Sequence, residues 1–440
     1  MTAAVSTSSS STTAKTIRFL FDVQCPYAYI ASRRVESLAN ACQCNVEFFP
    51  VLLGGLYADT NAPQGKDGSA TDVMAPNKRA LNSKDLLREA ARWNVPLKYN
   101  SKHPIRSVLA MRALVNTNDL DQRARFAHAL YTKYWVDDAD ISDPKVITEC
   151  AAQSGALVSA PTQSGQDKLR ENTTWASSRG VFGVPTFFIM NGNAESTRFW
   201  HGQDRMFFLA RALGLPPAHP LSNPLRLYPD RPLTNGAAIA VTIDFYHDFA
   251  SPWSYLGSTQ IYKLAAQASA KVRLKPILLG ALFREIGTPN VPMLAISEAK
   301  RAYFGLDLQD FSTLLNVPVI FPKDFPLRTI LPLRVQIIEP RCFSALYKAA
   351  WVDGWNIGDA EILTRVLSEN GFDGVGLVRR ANTDKAVKDA LTQNTNDALQ
   401  LGLCGVPSYV VQGVSDPVWG QDRSHVVLDQ VAGQYLLNKL

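Results

Sequence analysis

The chain has 440 residues, of which 46% are hydrophobic and 19% charged, and its formal net charge at pH 7 is +6. These proportions are typical of a globular protein with a substantial core. The basic residues form no run of the kind that nucleic-acid-binding proteins use, and the apolar stretches fall far short of the roughly 18 residues that a membrane span needs. We therefore expect neither nucleic acid nor a membrane as a partner.

The N-terminus and the cysteines bear on the compartment. Residues 1–15 are rich in Ser and Thr and lack an apolar segment, which predicts a disordered tail and no secretory signal. The six cysteines do not form a disulfide framework in a chain of this size, so we expect a reducing, cytoplasmic environment. The acid-free tail leaves a mitochondrial transit peptide open, and the final Asn438-Lys439-Leu440 leaves a peroxisomal address open.

The sequence carries one pattern twice. FLFDVQCPYAYIAS, which begins at Phe19, matches IDFYHDFASPWSYLGS, which begins at Ile243. Each is followed by Pro-x-Leu-Leu-Gly, Trp-Val-Asp, Gly-Val-Pro and Gly-Gln-Asp-Arg. Because the copies lie half a chain apart, far beyond the roughly 20 to 50 residues of a solenoid unit, we interpret them as a duplicated domain. Cys25 and Ser251 then occupy equivalent positions.

The duplication sets the domain boundaries. We predict a tail over residues 1–15, a first domain over 16–215, a linker over 216–238 and a second domain over 239–440. The linker prediction rests on the high proline content and weak periodicity of that segment.

Both halves predict the same order of elements. A strand, a turn with Pro, an amphipathic helix and a second strand imply a parallel strand pair with a right-handed crossover. A long helical stretch follows, and then a third strand, the Gly-Gln-Asp-Arg segment and a final helix. The predicted strands are residues 17–22, 45–53 and 186–190 in the first half and 241–246, 271–279 and 408–411 in the second. The helical stretches cover about residues 70–179 and 295–401.

The turn after each first strand is a candidate catalytic position, because Cys25 or Ser251 lies directly before the Pro that starts a helix. A helix N-terminus presents unpaired N–H groups and the positive end of the helix dipole. A thiol there loses its proton more readily, so we expect Cys25 to be the most reactive cysteine. A serine hydroxyl there stays neutral and can donate a hydrogen bond to a ligand thiolate, or it serves only as the N-cap.

Gly-Val-Pro precedes an apolar strand in both halves, with Val184 and Pro185 in the first and Val406 and Pro407 in the second. A proline that opens a strand cannot donate to the sheet and is often placed where a tight or cis peptide bond is needed. A cis bond would turn the backbone of the valine toward an extended peptide ligand. The alternative is an ordinary proline at a sheet edge.

The Gly-Gln-Asp-Arg segments place Asp204 and Asp422 near the start of the final helices. Either carboxylate could hold the ammonium of a small zwitterionic ligand, or the segments could be plain surface turns. The histidines are scattered without metal-ligand spacing, and Cys42-x-Cys44 fits a helix end that enters a strand. We therefore predict no metal site.

Taken together, these motifs resemble the DsbA-like thioredoxin superfamily. Within it, they are most similar to 2-hydroxychromene-2-carboxylate isomerases and kappa-class glutathione transferases. The resemblance rests on Asp-x-x-Ser-Pro-aromatic, Pro-x-Leu-Leu-Gly, Gly-Val-Pro and Trp-Gly-x-Asp-Arg. It covers nearly all of residues 240–440 and, less closely, 15–215. It implies an α/β fold of two tandem thioredoxin-like domains, each with an inserted helical subdomain.

The resemblance also implies glutathione as a cofactor and gives roles to residues of the second half. Ser251 matches the catalytic serine, which hydrogen-bonds the glutathione thiolate. The matching cofactor-binding residues are Lys300 for the glycine carboxylate, Val406 and Pro407 for the backbone of the cysteine, and Trp419, Asp422 and Arg423 for the γ-glutamyl end. In the first half, Val184, Pro185 and Asp204 match in the same way.

The first half departs from the family pattern. Cys25 replaces the serine, His201 replaces the tryptophan, and Lys78 is only a plausible counterpart of Lys300. Ala28 takes the place of a second cysteine, so Cys25 could act at most as a monothiol that uses glutathione as its partner.

The resemblance implies a glutathione-dependent isomerase or transferase that acts on an aromatic or unsaturated electrophilic small molecule. We expect Trp253, Tyr255 and Phe283 to wall its cleft. One alternative is a monothiol thiol-disulfide oxidoreductase that uses Cys25. Another is that one repeat serves only as a non-catalytic partner, since relatives of this type are often dimers. The chain would then form an intramolecular pseudo-dimer or a homodimer.

Overall fold

The structure, a computed structural model, describes residues 15–156, 163–192, 194–224 and 241–433. The predicted tail and most of the predicted linker lie outside the described residues. The chain divides into two compact units, residues 1–68 with 92–223 and residues 69–91 with 224–440. No helix of the described part is both long enough and apolar enough to cross a membrane.

The first unit contains, among its described residues, a five-stranded sheet with the order β2-β1-β3-β4 and with β5 paired to β3. Strand β1 runs parallel to β2 and antiparallel to β3. The parallel pair that the sequence predicted is therefore confirmed. The strands are β1 (Thr16–Phe21), β2 (Asn45–Pro50), β3 (Thr186–Asn191), β4 (Ala194–Glu195) and β5 (Trp200–His201).

The helices of the first repeat lie mostly between β2 and β3 in the sequence, as predicted. They are α1 (Pro26–Ala41), α2 (Leu53–Asp59), α3 (Pro76–Arg92), α4 (Val108–Asn116), α5 (Leu120–Trp135), α6 (Pro144–Ser154), α7 (Gln163–Ser177) and α8 (Met206–Ala212). Short 3₁₀ turns lie at Gln203–Arg205 and Pro220–Ser222. Helix α1 ends at Ala41 just before β2, so the prediction that Cys42 and Cys44 mark a helix end entering a strand is confirmed.

The second unit repeats the sheet, in the order β7-β6-β8-β9, with β6 parallel to β7 and antiparallel to β8. Its strands are β6 (Thr242–His247), β7 (Lys271–Pro276), β8 (Ser408–Val411) and β9 (Val418–Trp419). Its helices are α9 (Pro252–Ser258), α10 (Ile261–Gln267), α11 (Leu279–Glu285), α12 (Glu298–Leu315), α13 (Ile330–Ile338), α14 (Phe343–Trp351), α15 (Ala360–Glu369), α16 (Gly374–Thr383), α17 (Lys385–Gln400) and α18 (Ser424–Val431). The 3₁₀ turns are Pro292–Leu294, Pro340–Cys342 and Gln421–Arg423.

The first crossover helix differs between the repeats. Helix α1 is continuous, whereas its counterpart in the second unit is divided into α9 and α10. At the break, the Thr259 hydroxyl donates to the carbonyl of Leu256 at 2.8 Å. The Ser32 hydroxyl makes a bond of the same kind to the Tyr29 carbonyl within the continuous α1, so this bond does not by itself account for the interruption.

Aromatic side chains fill the core of each sheet. Phe19 of β1 lies 5.1 Å from Phe48 and 5.4 Å from Phe187, measured between ring centroids, and all three are buried. Phe245 of β6 packs on Tyr409 in the same way, at 5.4 Å. Strand β1 is thus packed against both neighbouring strands and β6 against β8, which holds the turn at the C-terminal end of each first strand in place.

A tryptophan at the equivalent position of each repeat anchors the turn that carries Cys25 or Ser251. The indole N–H of Trp135 donates to the Val23 carbonyl at 2.9 Å, and that of Trp351 donates to the Phe249 carbonyl at 2.7 Å. Both indoles are fully buried. The repeated Trp-Val-Asp segment therefore ties the helical subdomain to the strand end beside each candidate site.

A buried carboxyl group at the end of each first strand adds a second anchor. Asp248 accepts hydrogen bonds from the Leu279 N–H at 2.9 Å and from the Thr329 hydroxyl at 2.6 Å. Asp22 accepts from the Leu53 N–H at 3.0 Å in the first unit. These hydrogen bonds favour the charged form and lower the pKa of both aspartates. Burial has the larger effect, so the pKa of each is raised. These contacts join the first strand to the helix that follows the second strand.

Most of helix α3 belongs to the second unit, although its sequence lies in the first repeat. Leu81 is part of an apolar cluster with Tyr246, Ile277 and Leu282 of the second repeat. The side-chain amide of Asn77 donates to the Leu403 carbonyl at 3.2 Å. Nothing in the sequence analysis anticipated this placement.

Candidate active site

Ser251 lies at the N-cap of α9 and is only 6% exposed. Its Oγ accepts a hydrogen bond from the Ser254 N–H at 3.1 Å and donates to the Val406 carbonyl at 3.3 Å. The cap interpretation is therefore confirmed. The same hydroxyl also lies beside the Gly-Val-Pro segment, where the resemblance places the ligand thiolate.

Cys25 takes the equivalent position at the N-cap of α1, without a side-chain cap bond. Its Sγ lies 3.2 Å from the Val184 carbonyl, and the residue is 7% exposed. Burial raises the pKa of this thiol to about 12, and it outweighs the N–H groups of Ala28 and Tyr27, which favour the thiolate. The expected lowering of the Cys25 pKa by the helix N-terminus is wrong, because desolvation of the thiolate is the larger effect.

We accordingly expect Cys25 to react slowly with alkylating reagents. Cys42 and Cys44 are half-exposed, although burial raises the pKa of Cys42 to about 11 and that of Cys44 as well. Timed alkylation at neutral pH with peptide mapping should label these two thiols before Cys25, since access is needed as well as ionisation. Labelling in denaturant is the control, and there the three rates should converge. Preferential labelling of Cys25 in the folded chain would restore the activated-thiol interpretation.

The Gly-Val-Pro segments have the same geometry in both repeats. The bonds before Pro185 and Pro407 are cis. The proline carbonyls accept from the N–H of Gly202 at 2.9 Å and of Gly420 at 3.0 Å. Val406 is a buried residue, and among the described residues none accepts a hydrogen bond from its N–H. That N–H could pair with the backbone of an extended peptide ligand.

Gly405 is required by the side chain that packs over it. A Cβ at this position would lie 2.9 Å from Nε1 of Trp419, closer than real Cβ contacts allow. At the equivalent Gly183 the nearest atom belongs to His201, at 3.1 Å. The glycine of Gly-Val-Pro thus lets the ring at the end of the following hairpin approach the candidate site.

Asp422 and Arg423 form a charged group with a residue of helix α3. The Nε and Nη2 atoms of Arg423 lie 2.9 and 3.0 Å from the two carboxylate oxygens of Asp85, and its Nη1 lies 3.0 Å from Asp422. Asp204 pairs with Arg205 at 2.9 Å in the first unit. Asp85 was missed by the sequence analysis, because only the fold brings α3 to this segment.

Lys300 and Lys78 both belong to the second unit. Lys78 was expected as a counterpart of Lys300 in the first repeat, but its Nζ lies 5.6 Å from the ring centroid of Trp419. Burial lowers the pKa of Lys300 to about 8, and the positive charge of Lys78 adds to this shift. Two ammonium groups from equivalent positions of the two repeats therefore lie close enough to interact.

An aromatic surface lies next to Ser251. The Trp253 ring meets Phe304 and Phe311 edge-on, each at 6.4 Å between centroids. Of the predicted wall residues, Trp253 is half-buried, whereas Tyr255 and Phe283 are buried in the domain core. Phe304 was missed, although its position four residues after Lys300 on α12 is a signal that places both on one helix face.

The parallel and antiparallel strand pairs, the inserted helices and the Pro turns at the ends of β1 and β6 define a thioredoxin-like protein. Residues 16–214 and 242–432 each match the DSBA-like thioredoxin domain. The chain belongs to this family and contains its domain twice.

Several curated proteins are similar to about half of the chain. A 2-hydroxychromene-2-carboxylate isomerase of Sphingobium xenophagum is 28% identical over 200 residues, which are 44% of this chain and 96% of that protein. Glutathione S-transferase kappa 1 of Homo sapiens is 26% identical over 227 residues, 46% of this chain and 96% of that protein. A solved 2-hydroxychromene-2-carboxylate isomerase is 24% identical with a TM-score of 0.39, over 45% of this chain and 98% of that one.

Proposed function

We propose that this protein is a glutathione-dependent isomerase or transferase and that its second repeat contains the working site. The observation that carries the proposal is the position of the Ser251 hydroxyl, at a helix N-terminus and 3.3 Å from the Val406 carbonyl. Relatives named as isomerases and as glutathione transferases support this class of activity. The substrate in the proposal is an aromatic or unsaturated electrophile, because Trp253 and Phe304 offer an apolar surface beside Ser251.

The charges of the site fit glutathione, which has two carboxylates, one ammonium and a peptide backbone. The Val406 N–H suits the backbone of the cysteine, the Lys300 ammonium suits the glycine carboxylate, and the Asp422 carboxylate suits the γ-glutamyl ammonium. When bound, glutathione supplies a thiolate that adds to an electrophilic carbon and then leaves, giving an isomer, or stays, giving a conjugate.

Ser251 in this proposal stabilises the thiolate without reacting. Its O–H, which donates to the Val406 carbonyl in the structure, would turn to donate to the ligand sulfur. The backbone N–H groups at the start of α9 add a favourable field for negative charge. A hydroxyl does not compete as a nucleophile, since it remains neutral at physiological pH.

The oxidoreductase alternative at Cys25 has less support. A thiol whose pKa burial raises to about 12 is almost wholly protonated at neutral pH, and the thiolate is the reactive form. Ala28 provides no resolving thiol. We therefore propose that the first repeat acts mainly as the partner of the second, to which it contributes helix α3.

The proposed function predicts that glutathione binds and that its affinity depends on Lys300. Because the lowered pKa of Lys300 is about 8, its side chain is mostly the charged ammonium below that pH and mostly the neutral amine above it. A carboxylate favours the charged form, so affinity should be full below pH 8 and fall as the pH rises through it. Calorimetric titration of the full chain between about pH 6.5 and 9.5 measures this dependence.

The matched control is Lys300→Met, which should bind glutathione more weakly and lose this part of the pH dependence. The ionisation of the ligand itself affects both proteins equally, so the difference between them isolates Lys300. Absence of glutathione binding to the wild-type chain would contradict the proposed function. A pH profile unchanged by Lys300→Met would remove Lys300 from the site.

A further inference from the structure

Helix α3 is held in the second unit by buried polar contacts as well as by Leu81. Glu89 lies 3.2 Å from Nε2 of His425 on α18, and both side chains are almost fully buried. Lys84 forms an ion pair with Asp416. Glu89 lies on the last turn of α3, so its buried contact fixes that end of the helix against α18. Lys84 lies in the middle of the helix and its side chain is 43% exposed, so its ion pair contributes little to that placement.

The fixed helix presents two charged side chains of the first repeat to the Gly-Gln-Asp-Arg segment. Asp85 binds Arg423 through both carboxylate oxygens, at 2.9 and 3.0 Å. Such a bidentate pair sets the orientation of the guanidinium group, which lies 3.0 Å from Asp422. Asp85 therefore acts on the position of Asp422 through Arg423.

The charge balance of this segment points to the role of Lys78. The two carboxylates of Asp85 and Asp422 already engage Arg423. The Lys78 ammonium lies 5.6 Å from the centroid of the Trp419 ring, and Trp419 precedes Asp422 by three residues. An amino-acid group has one ammonium and one carboxylate. Its ammonium would face Asp422 and its carboxylate would face Lys78.

We propose that the first repeat completes the ligand site of the second, with Lys78 binding the α-carboxylate of the γ-glutamyl group and Asp85 positioning Arg423 and Asp422 for its ammonium. This inference rests on the proposed function, because it takes glutathione as the ligand. It assigns to Lys78 and Asp85 a role at a site half a chain away from them in sequence. The second repeat then depends on the first for binding as well as for packing.

The test compares three peptides by calorimetry on the full chain. Glutathione and γ-glutamylcysteine keep the γ-glutamyl group, whereas cysteinylglycine lacks it. Lys78→Met should weaken the first two by about ten- to a hundredfold, the loss expected for a charge-assisted contact, and leave the third nearly unchanged. Asp85→Asn should show the same selectivity, and Asp85→Glu should restore part of the affinity because it keeps the charge that orients Arg423.

Lys84→Met is the matched control, because it removes a lysine of the same helix that pairs with Asp416 instead of facing Trp419. It should leave the affinity for all three peptides unchanged. Equal losses for all three peptides in Lys78→Met or Asp85→Asn would show a merely structural role and overturn the inference. Unchanged glutathione affinity in both variants would overturn it while the proposed function stands, and no binding by the wild-type chain would overturn both.

Discussion

Ser251→Ala should lower kcat/KM for a glutathione-dependent isomerisation or conjugation by about 10 to 1000-fold, the range expected when one stabilising donor is lost. The reason is the position of its hydroxyl, which caps α9 and lies at the Val406 carbonyl. Steady-state kinetics with an unsaturated electrophile measures the effect. The lost cap should cost about 1 kcal/mol of stability, so thermal unfolding of the variant is recorded alongside.

Cys25→Ser is the matched control, since it changes the equivalent position of the other repeat by a single atom. The thiol is buried and its pKa is raised, so this variant should keep nearly the full activity. If Cys25→Ser abolishes turnover while Ser251→Ala is silent, the chemistry belongs to the first repeat. The monothiol mechanism would then replace the one proposed.

Asp422→Ala should weaken glutathione binding by about ten- to a hundredfold, because it removes a charge-assisted contact of roughly 1.5 to 3 kcal/mol. The Asp422 carboxylate lies at the second site beside Arg423, which Asp85 holds from the other side. Calorimetric titration of the full chain measures the change. The full chain is needed because the second unit includes residues 69–91 of the first repeat.

Asp204→Ala gives the comparison within the same molecule. Asp204 follows a glycine of the same backbone conformation and pairs with its neighbour Arg205 at 2.9 Å. If the second repeat binds glutathione, Asp204→Ala should leave that affinity unchanged. A loss confined to Asp204→Ala would move the binding site to the first repeat.

Local signals made much of the fold predictable from the sequence. The first and third strands of each repeat, the Pro turns and the Gly-Val-Pro segments lie where the sequence analysis placed them, because strand periodicity, proline and glycine act over a few residues. The second strands end at Pro50 and Pro276, three residues earlier than predicted, and helices α2 and α11 begin where the predicted strands were to end. The break between α9 and α10 was missed, because the sequence analysis predicted one continuous helix in each repeat.

The candidate site was only partly predictable. Ser251 and the segment around Asp422 were identified from motifs, and the structure adds the hydrogen bonds and ion pairs that they make. Phe304 was missed because its neighbour Trp253 lies on another helix. A contact between elements that are distant in sequence leaves no periodic signal in either one.

The sequence by itself determined that this protein is a duplication with a cysteine and a serine at equivalent helix N-termini, because these features are set by residue order and short-range geometry. Only the tertiary structure decided that Cys25 is a buried thiol whose pKa is raised, since that pKa depends on how completely the surrounding chain excludes water. It also placed Lys78 over the Trp419 ring and Asp85 against Arg423, both residues of the other repeat. These contacts depend on long-range packing, which residue order and short-range geometry do not reveal.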